Sequence, residues 1–185
     1  MSPWSIKRLS KAVENGAIIA YPTDTIWGFG CHPLRASSVI KILNIKQRSV
    51  AKGLILLSSR MEYCAPYIDP DLSEEQIDLV QQQNRHPVTW LVPAARSCPV
   101  WLRGDFSTVA LRITNHPFIE AICSEMHSPI VSTSANRHRR STIQTALQAR
   151  QQFGEELDYI VTGFNTGTNR ASEIKSLTTG ITVRA

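Results

Sequence analysis

The sequence predicts an α/β protein. Helix-like and strand-like segments alternate along its whole length, apolar residues (42%) outweigh charged ones (19%), and no linker or internal repeat divides it. Its 185 residues correspond to one domain over 1–185, since a domain takes roughly 150 residues. Nine glycines and ten prolines follow no period, which excludes collagen-like and low-complexity chains.

Taken in order, Ser2 can cap a first helix opened by Pro3, with Ile6, Leu9 and Val13 on one face and Asn15-Gly16 ending it. An apolar strand over 17–21 stops at Pro22. Val39, Ile40, Leu43 and Lys46 repeat at helical spacing and predict a helix over 36–46 with a basic end, followed by a buried strand over 53–57. A polar, acidic helix is predicted over 73–83, and strands over 88–92 and 109–113. After Pro117 an amphipathic helix runs to Met126 on Phe118, Ile119, Ile122 and Cys123. A strand over 129–131 is expected to end in the hydroxyl-rich segment that follows it. A helix over 143–153, a strand over 159–161 and two short closing strands complete the chain.

The formal net charge of +5, with a pI near 9.2, favours anionic partners, phosphate ligands and RNA alike. Acidic residues cluster at Asp69, Asp71, Glu74, Glu75 and Asp78, while Arg137, His138, Arg139 and Arg140 form a basic knot. Cys31, Cys64, Cys98 and Cys123 lack C-x-x-C or zinc-ligand spacing and are expected to be reduced and buried. No apolar run has the roughly 18 residues needed to span a bilayer, and the first residues lack a signal-peptide stretch, so the expected address is the cytoplasm.

Four segments can carry chemistry. Residues 21–30 follow a strand with hydroxyls, a carboxylate, an aromatic and two glycines; they suit a pocket rim, or a Pro-initiated turn in which Asp24 bonds its own backbone. Lys46, Arg48 and Lys52 can converge on phosphate oxygens, or can simply complement a helix C-terminus. Ser132-Thr133-Ser134-Ala135-Asn136 can offer donors to phosphate as a nest does, or form a turn with a helix cap. The polar loop over 163–172 is either an ordinary surface loop or a lid that brings Arg170, Ser172 and Arg184 over a ligand. Neither a G-x-x-x-x-G-K-[ST] loop nor a strand-linked G-x-G-x-x-G is present, and no G-x-S-x-G elbow supports serine catalysis.

In this order and at these separations, the motifs resemble the YrdC-like family of threonylcarbamoyl-AMP synthases in its short, single-domain bacterial form. The resemblance rests on Ala20-Tyr21-Pro22-Thr23-Asp24-Thr25, on Lys46-Gln47-Arg48 with Lys52-Gly53-Leu54, and on Pro87-Val88-Thr89. It continues through Val109-Ala110-Leu111-Arg112 with His116-Pro117, the segment Ser132-Thr133-Ser134-Ala135-Asn136, and Ser172 with Ile174. It implies a twisted, mostly open sheet with flanking helices around a basic concave cleft. It also implies a nucleotidyltransferase that converts L-threonine, bicarbonate and ATP to threonylcarbamoyl-adenylate and pyrophosphate, for modification of tRNA beside the anticodon.

By the same resemblance, Lys46, Arg48 and Lys52 are the catalytic cations. ATP is held by Arg48, Lys52, Thr108, Ser134, Asn136, Thr142 and Arg184, and threonine by Thr25, Arg112, Ser132 and Ser172. Magnesium is expected on the phosphates rather than in a carboxylate cage. The implied partners are threonylcarbamoyl transferase proteins, and tRNA through the basic face; no membrane partner is implied. Three departures stand out: Arg137-His138-Arg139 replaces Leu-Ser-Gly, Arg85-His86 replaces Pro-Gly before Pro87, and Ala171 replaces a proline. The first puts the loop before Thr142 in question and motivates an alternative, a non-catalytic tRNA or double-stranded RNA-binding module of the same fold. The sequence stops just past Arg184, so the second domain of longer relatives is expected to be missing.

Overall fold

A computed structural model describes residues 1–82, 84, 86–163, 165 and 170–184. Much of the predicted lid, at 164 and 166–169, and Arg85 and Gln83 therefore lie outside the described residues.

The first helix, α1 (Pro3–Glu14), begins as its sequence dictates: Ser2 Oγ accepts the Ser5 N–H at 3.2 Å, and Ile6, Leu9 and Val13 are buried. Next come the strands β1 (Ile19–Tyr21) and β2 (Gly28–Cys31), the helix α2 (Ala36–Lys46) and the strand β3 (Ile55–Ser58). The middle is α3 (Glu74–Gln81), β4 (Val88–Pro93), a four-residue helix α4 (Val100–Arg103) and β5 (Thr108–Ile113). Then follow α5 (Pro117–Met126), β6 (Ile130–Ser134), α6 (Ala146–Phe153), β7 (Tyr159–Ile160), β8 (Glu173–Ser176) and β9 (Thr182–Arg184).

Among the described residues these strands form one mixed sheet in the order β7-β1-β2-β6-β3-β5-β4-β8-β9. β7/β1, β3/β5 and β4/β8 are parallel, and the remaining pairs are antiparallel. The pleat sorts neighbouring side chains to opposite faces. Ile18, Ala20, Leu56 and Val131 pack with α2 and α6, while Ile19, Tyr21, Leu57 and Ile130 pack with α1 and α5. The four cysteines are free and buried as expected, and burial pushes the Cys64 and Cys123 thiols up to about 12.

Three expectations about local structure need correction. The strand over 129–131 does not end at Val131; it continues to Ser134 because β6 is paired on both sides, Ser132 to Gly30 and Ile55, and Ser134 to Gly28. Pairing to β3 ends at Ser132, while pairing to β2 carries the strand on to Ser134. Gly53 does not open a strand: it stands at φ +59° after a short turn, and Leu54 N–H bonds Leu102 O at 2.8 Å, so β3 starts at Ile55. Asp24 does not bond its own backbone; Thr23 Oγ1 closes that turn instead, accepting from Thr25 N–H at 3.0 Å and donating to Ile26 O at 2.8 Å.

The strand β2 was not foreseen, and its glycines explain both why it exists and why it hid. A Cβ on Gly30 would lie 2.8 Å from Tyr21 Cε1 and 2.8 Å from Val131 O, so the Tyr21 ring lies where a side chain would stand. From there Tyr21 OH donates to Ser132 Oγ at 2.8 Å. Gly30→Ala is expected to lower the thermal midpoint, at a cost of roughly 1–3 kcal/mol for overpacking, as read by calorimetry.

Candidate functional site

Along β5 the core residues Val109 and Leu111 alternate with Thr108, Ala110 and Arg112, which share the opposite face. That face is the one α1 and α5 cover on the other half of the sheet; here it is open, and it forms the floor of a cavity of about 470 Å³. Every residue expected to contact ATP or threonine lines this cavity except Asn136. Of the expected catalytic cations, Arg48 and Lys52 line it and Lys46 does not.

Strand register orders these residues. Arg112 lies opposite Leu57, Ala110 opposite Ile55, and Ile55 opposite Ser132, so Ser134 lies toward the Thr108 end and Arg112 marks the other. Four residues of strand separate Thr108 from Arg112, about 13 Å. Ser172 sits at the Arg112 end, where its Oγ lies 2.7 Å from Thr89 Oγ1. Arg184, on the edge strand β9, donates to Ser172 O at 2.9 Å. Apart from Arg184, whose strand position and bond to Ser172 O tie it to the Arg112 end, the residues expected to hold a nucleotide lie toward Thr108 and those expected to hold an amino acid toward Arg112, with Ser132 between them.

At the amino-acid end, Arg112 is 6% exposed and fixed by two neighbours on the β1–β2 connection. It donates to Thr25 Oγ1 at 3.0 Å and forms an ion pair with Asp24. Thr25 Oγ1 is in turn 2.9 Å from Thr23 Oγ1. A guanidinium anchored along one edge is pre-oriented to offer the rest of its fork to a carboxylate.

At the opposite end, the left-handed cap at Gln47 (φ +50°) turns the chain out of α2, sending Lys46 and Arg48 in different directions. Arg48 donates to Gly53 O at 3.0 Å, and Lys52 follows on the same turn. Burial, and then the like charge of Arg184, hold the Arg48 guanidinium below its ordinary range. Arg48, Lys52, Arg103, Arg112 and Arg184 all line the cavity, and among the described residues no acidic one does. The cleft is therefore basic.

Lys46 sits behind β6. Its ammonium reaches Ser134 O, Ser134 Oγ, Asn136 O and Asn136 Oδ1 at 2.5, 3.2, 3.1 and 2.8 Å. Ser134 Oγ donates to Asn136 Oδ1 at 2.8 Å, so Lys46 and Asn136 together orient a hydroxyl that faces the cavity. Burial, followed by the like charge of Arg48, lowers the Lys46 ammonium from 10.5 to about 8. Loss of its proton above that pH removes donors from this cluster. Occupancy of the nucleotide end should therefore weaken as pH rises through about 8. In Lys46→Met that alkaline limb should vanish from a profile of KM for nucleotide; a flat wild-type profile would contradict the role. Stability responds in the opposite sense, rising between about 8 and 10.5 because the unfolded chain keeps the proton longer.

The basic knot is split. Arg137 bonds Glu156 Oε2 at 2.7 Å and lies over the Phe153 ring at 5.0 Å, while His138, Arg139 and Arg140 are exposed. Thr142 reaches the cavity despite the altered loop before it. Among the described residues no cluster of three His, Cys, Asp or Glu can hold a metal, and no helix is long and apolar enough to cross a membrane. Sequence reasoning missed Asp24 as the partner of Arg112, and Arg103 and Phe106 on the cavity wall. The first pair is brought together only by the fold, and no motif marks the other two.

Comparison with known proteins places these features in context. The Sua5/YciO/YrdC family model, described as telomere recombination, matches residues 11–184. A threonylcarbamoyl-AMP synthase of Vibrio campbellii is 36% identical over 181 residues, covering 97% of this chain and 98% of that one. A protein of the same name from Nitrosococcus oceani is 38% identical over 181 residues, covering 98% and 97%. Among solved structures, P. abyssi Sua5 complexed with L-threonine superposes with a TM-score of 0.85 at 24% identity, covering 96% of this chain and 52% of that one. The chain thus spans about half the length of that protein, whose likeness shows the shared fold.

Proposed function

The chain belongs to the Sua5/YciO/YrdC family, and from that premise we propose that it is a threonylcarbamoyl-AMP synthase, acting as one unit over residues 1–185. What supports this reading is that one cavity carries Arg48 and Lys52 at one end and, at the other, the Arg112 guanidinium anchored by Thr25 and Asp24.

In the proposed reaction the unprotonated amine of L-threonine combines with bicarbonate, losing water, to give a carbamate. A carbamate oxygen attacks the α-phosphorus of ATP; the new P–O bond forms as the bond to pyrophosphate breaks, and pyrophosphate leaves with the electron pair. The attacking group is already an anion, so the site has to position reactants and offset charge rather than abstract a proton. Arg48 and Lys52 neutralise the triphosphate, Thr108, Ser134, Thr142 and Arg184 contact the nucleotide, and Lys46 and Asn136 hold Ser134. Arg112, Thr25, Ser132 and Ser172 hold threonine. This makes the enzyme a nucleotidyltransferase that works in the cytoplasm and passes its adenylate to threonylcarbamoyl transferase proteins for tRNA modification.

Magnesium fits as an ion carried on the triphosphate. Among the described residues the cavity wall supplies hydroxyls and cations but no carboxylate, a donor set that does not suit a resident metal.

Incubation with ATP, L-threonine and 13C-bicarbonate should yield a labelled adenylate by mass spectrometry, with threonine-dependent release of pyrophosphate. Release driven by another amino acid but not by threonine would replace the substrate, and no product at all would favour the RNA-binding reading.

A further inference from the structure

Among the described residues, two aromatic ones line the cavity, Trp27 and Phe106. Trp27 is fully buried, whereas Phe106 is 56% exposed and takes no part in the proposed chemistry. An isolated surface phenylalanine would be unremarkable on its own. The backbone around this one is held on every side. Gly104 N–H bonds Val100 O at 2.8 Å, Asp105 N–H bonds Ala51 O at 3.2 Å, and Ala94 N–H bonds Ser107 O at 2.9 Å. Phe106 O itself accepts from Arg103 Nη1 at 2.8 Å. Gly104 stands at φ +67°, and a Cβ there would lie 2.2 Å from Ala51 O, so this close approach to the 50–52 turn requires glycine.

The segment is thus a fixed arm that presents an uncovered ring. Its bond to Ala51 joins it to the turn that carries Lys52, and Thr108 follows Phe106 by two residues on β5. Leu54 and Leu102 add apolar wall to the cavity. Lys52 and the exposed Phe106 ring therefore stand on two segments tied to each other, at the opposite end of β5 from Arg112.

We propose that Phe106 is the stacking platform for the adenine ring of ATP, a nucleotide-positioning residue; this inference rests on the ATP reading above. The backbone that carries the ring is already held, so binding has only the two side-chain torsions of Phe106 left to restrict. Base–aromatic stacking of this kind corresponds to roughly a 5- to 150-fold change in affinity.

Calorimetric titration of wild type, Phe106→Ala and Phe106→Trp with ATP and with inorganic tripolyphosphate tests the proposal. Phe106→Ala should weaken ATP by such a factor while leaving tripolyphosphate, which has no base, unchanged; Phe106→Trp should restore ATP binding. In the pyrophosphate-release assay, KM for ATP should rise in Phe106→Ala while KM for threonine stays constant. Equal ATP affinity in wild type and Phe106→Ala, or equal weakening of ATP and tripolyphosphate, would overturn the stacking role while leaving the enzyme reading intact. A wild-type protein that binds no ATP would overturn both.

Discussion

Arg112→Ala is expected to raise the threonine concentration needed for half-maximal adenylate formation by roughly 100-fold, with a much smaller change in the ATP requirement. The loss has two parts. The fork that pairs with the amino-acid carboxylate disappears, and charge-assisted hydrogen bonds of that kind contribute about 1.5–3 kcal/mol. Asp24 also loses its ion-pair partner, which leaves an uncompensated negative charge next to the cavity wall that opposes binding of threonine's carboxylate. Arg112→Lys keeps the charge but not the fork, and should remain severely impaired. Adding Asp24→Asn to Arg112→Ala removes the stranded anion and should recover part of the threonine affinity. Parallel effects on both substrates would undo the assignment of Arg112 to the amino-acid end.

The second large effect is expected at Arg48. Arg48→Ala should reduce turnover by about 10²- to 10³-fold, the usual consequence of removing one donor that stabilises developing charge. Its guanidinium also bonds Lys52 O at 3.3 Å and Gly53 O at 3.0 Å, so the substitution loosens the turn that carries Lys52. Lys52→Ala separates the two contributions, since it removes one charge and leaves the Arg48 tether in place. If steady-state kinetics of Arg48→Ala match wild type, the phosphate end of the site has been misplaced.

Much of the frame can be read directly in the sequence. Ser2-Pro3 before a helical stripe and Pro117 before another mark α1 and α5, and Lys46 closes α2 where the periodicity stops. Where the reading failed, the cause was function acting on local composition. Ser132, Thr133 and Ser134 are polar because they line a cavity, and their polarity looked like the end of a strand that in fact continues beneath it. Gly28 and Gly30 do not read as a strand because they lack side chains, and at Gly30 the Tyr21 ring takes the space one would fill. The ion pair of Arg112 with Asp24 joins residues 88 positions apart, and only the fold brings them together. The site residues themselves came from an ordered set of motifs rather than from any single one, since each segment alone also admits an ordinary structural role.

The central claim is that one cleft holds a nucleotide and an amino acid end to end along β5. A crystal structure with a non-hydrolysable ATP analogue and L-threonine tests it most directly. The account predicts the triphosphate against Arg48 and Lys52 near Thr108, with the threonine carboxylate on Arg112. Ligands bound outside this cleft, or the amino acid seated at the Thr108 end with the nucleotide on Arg112, would contradict it.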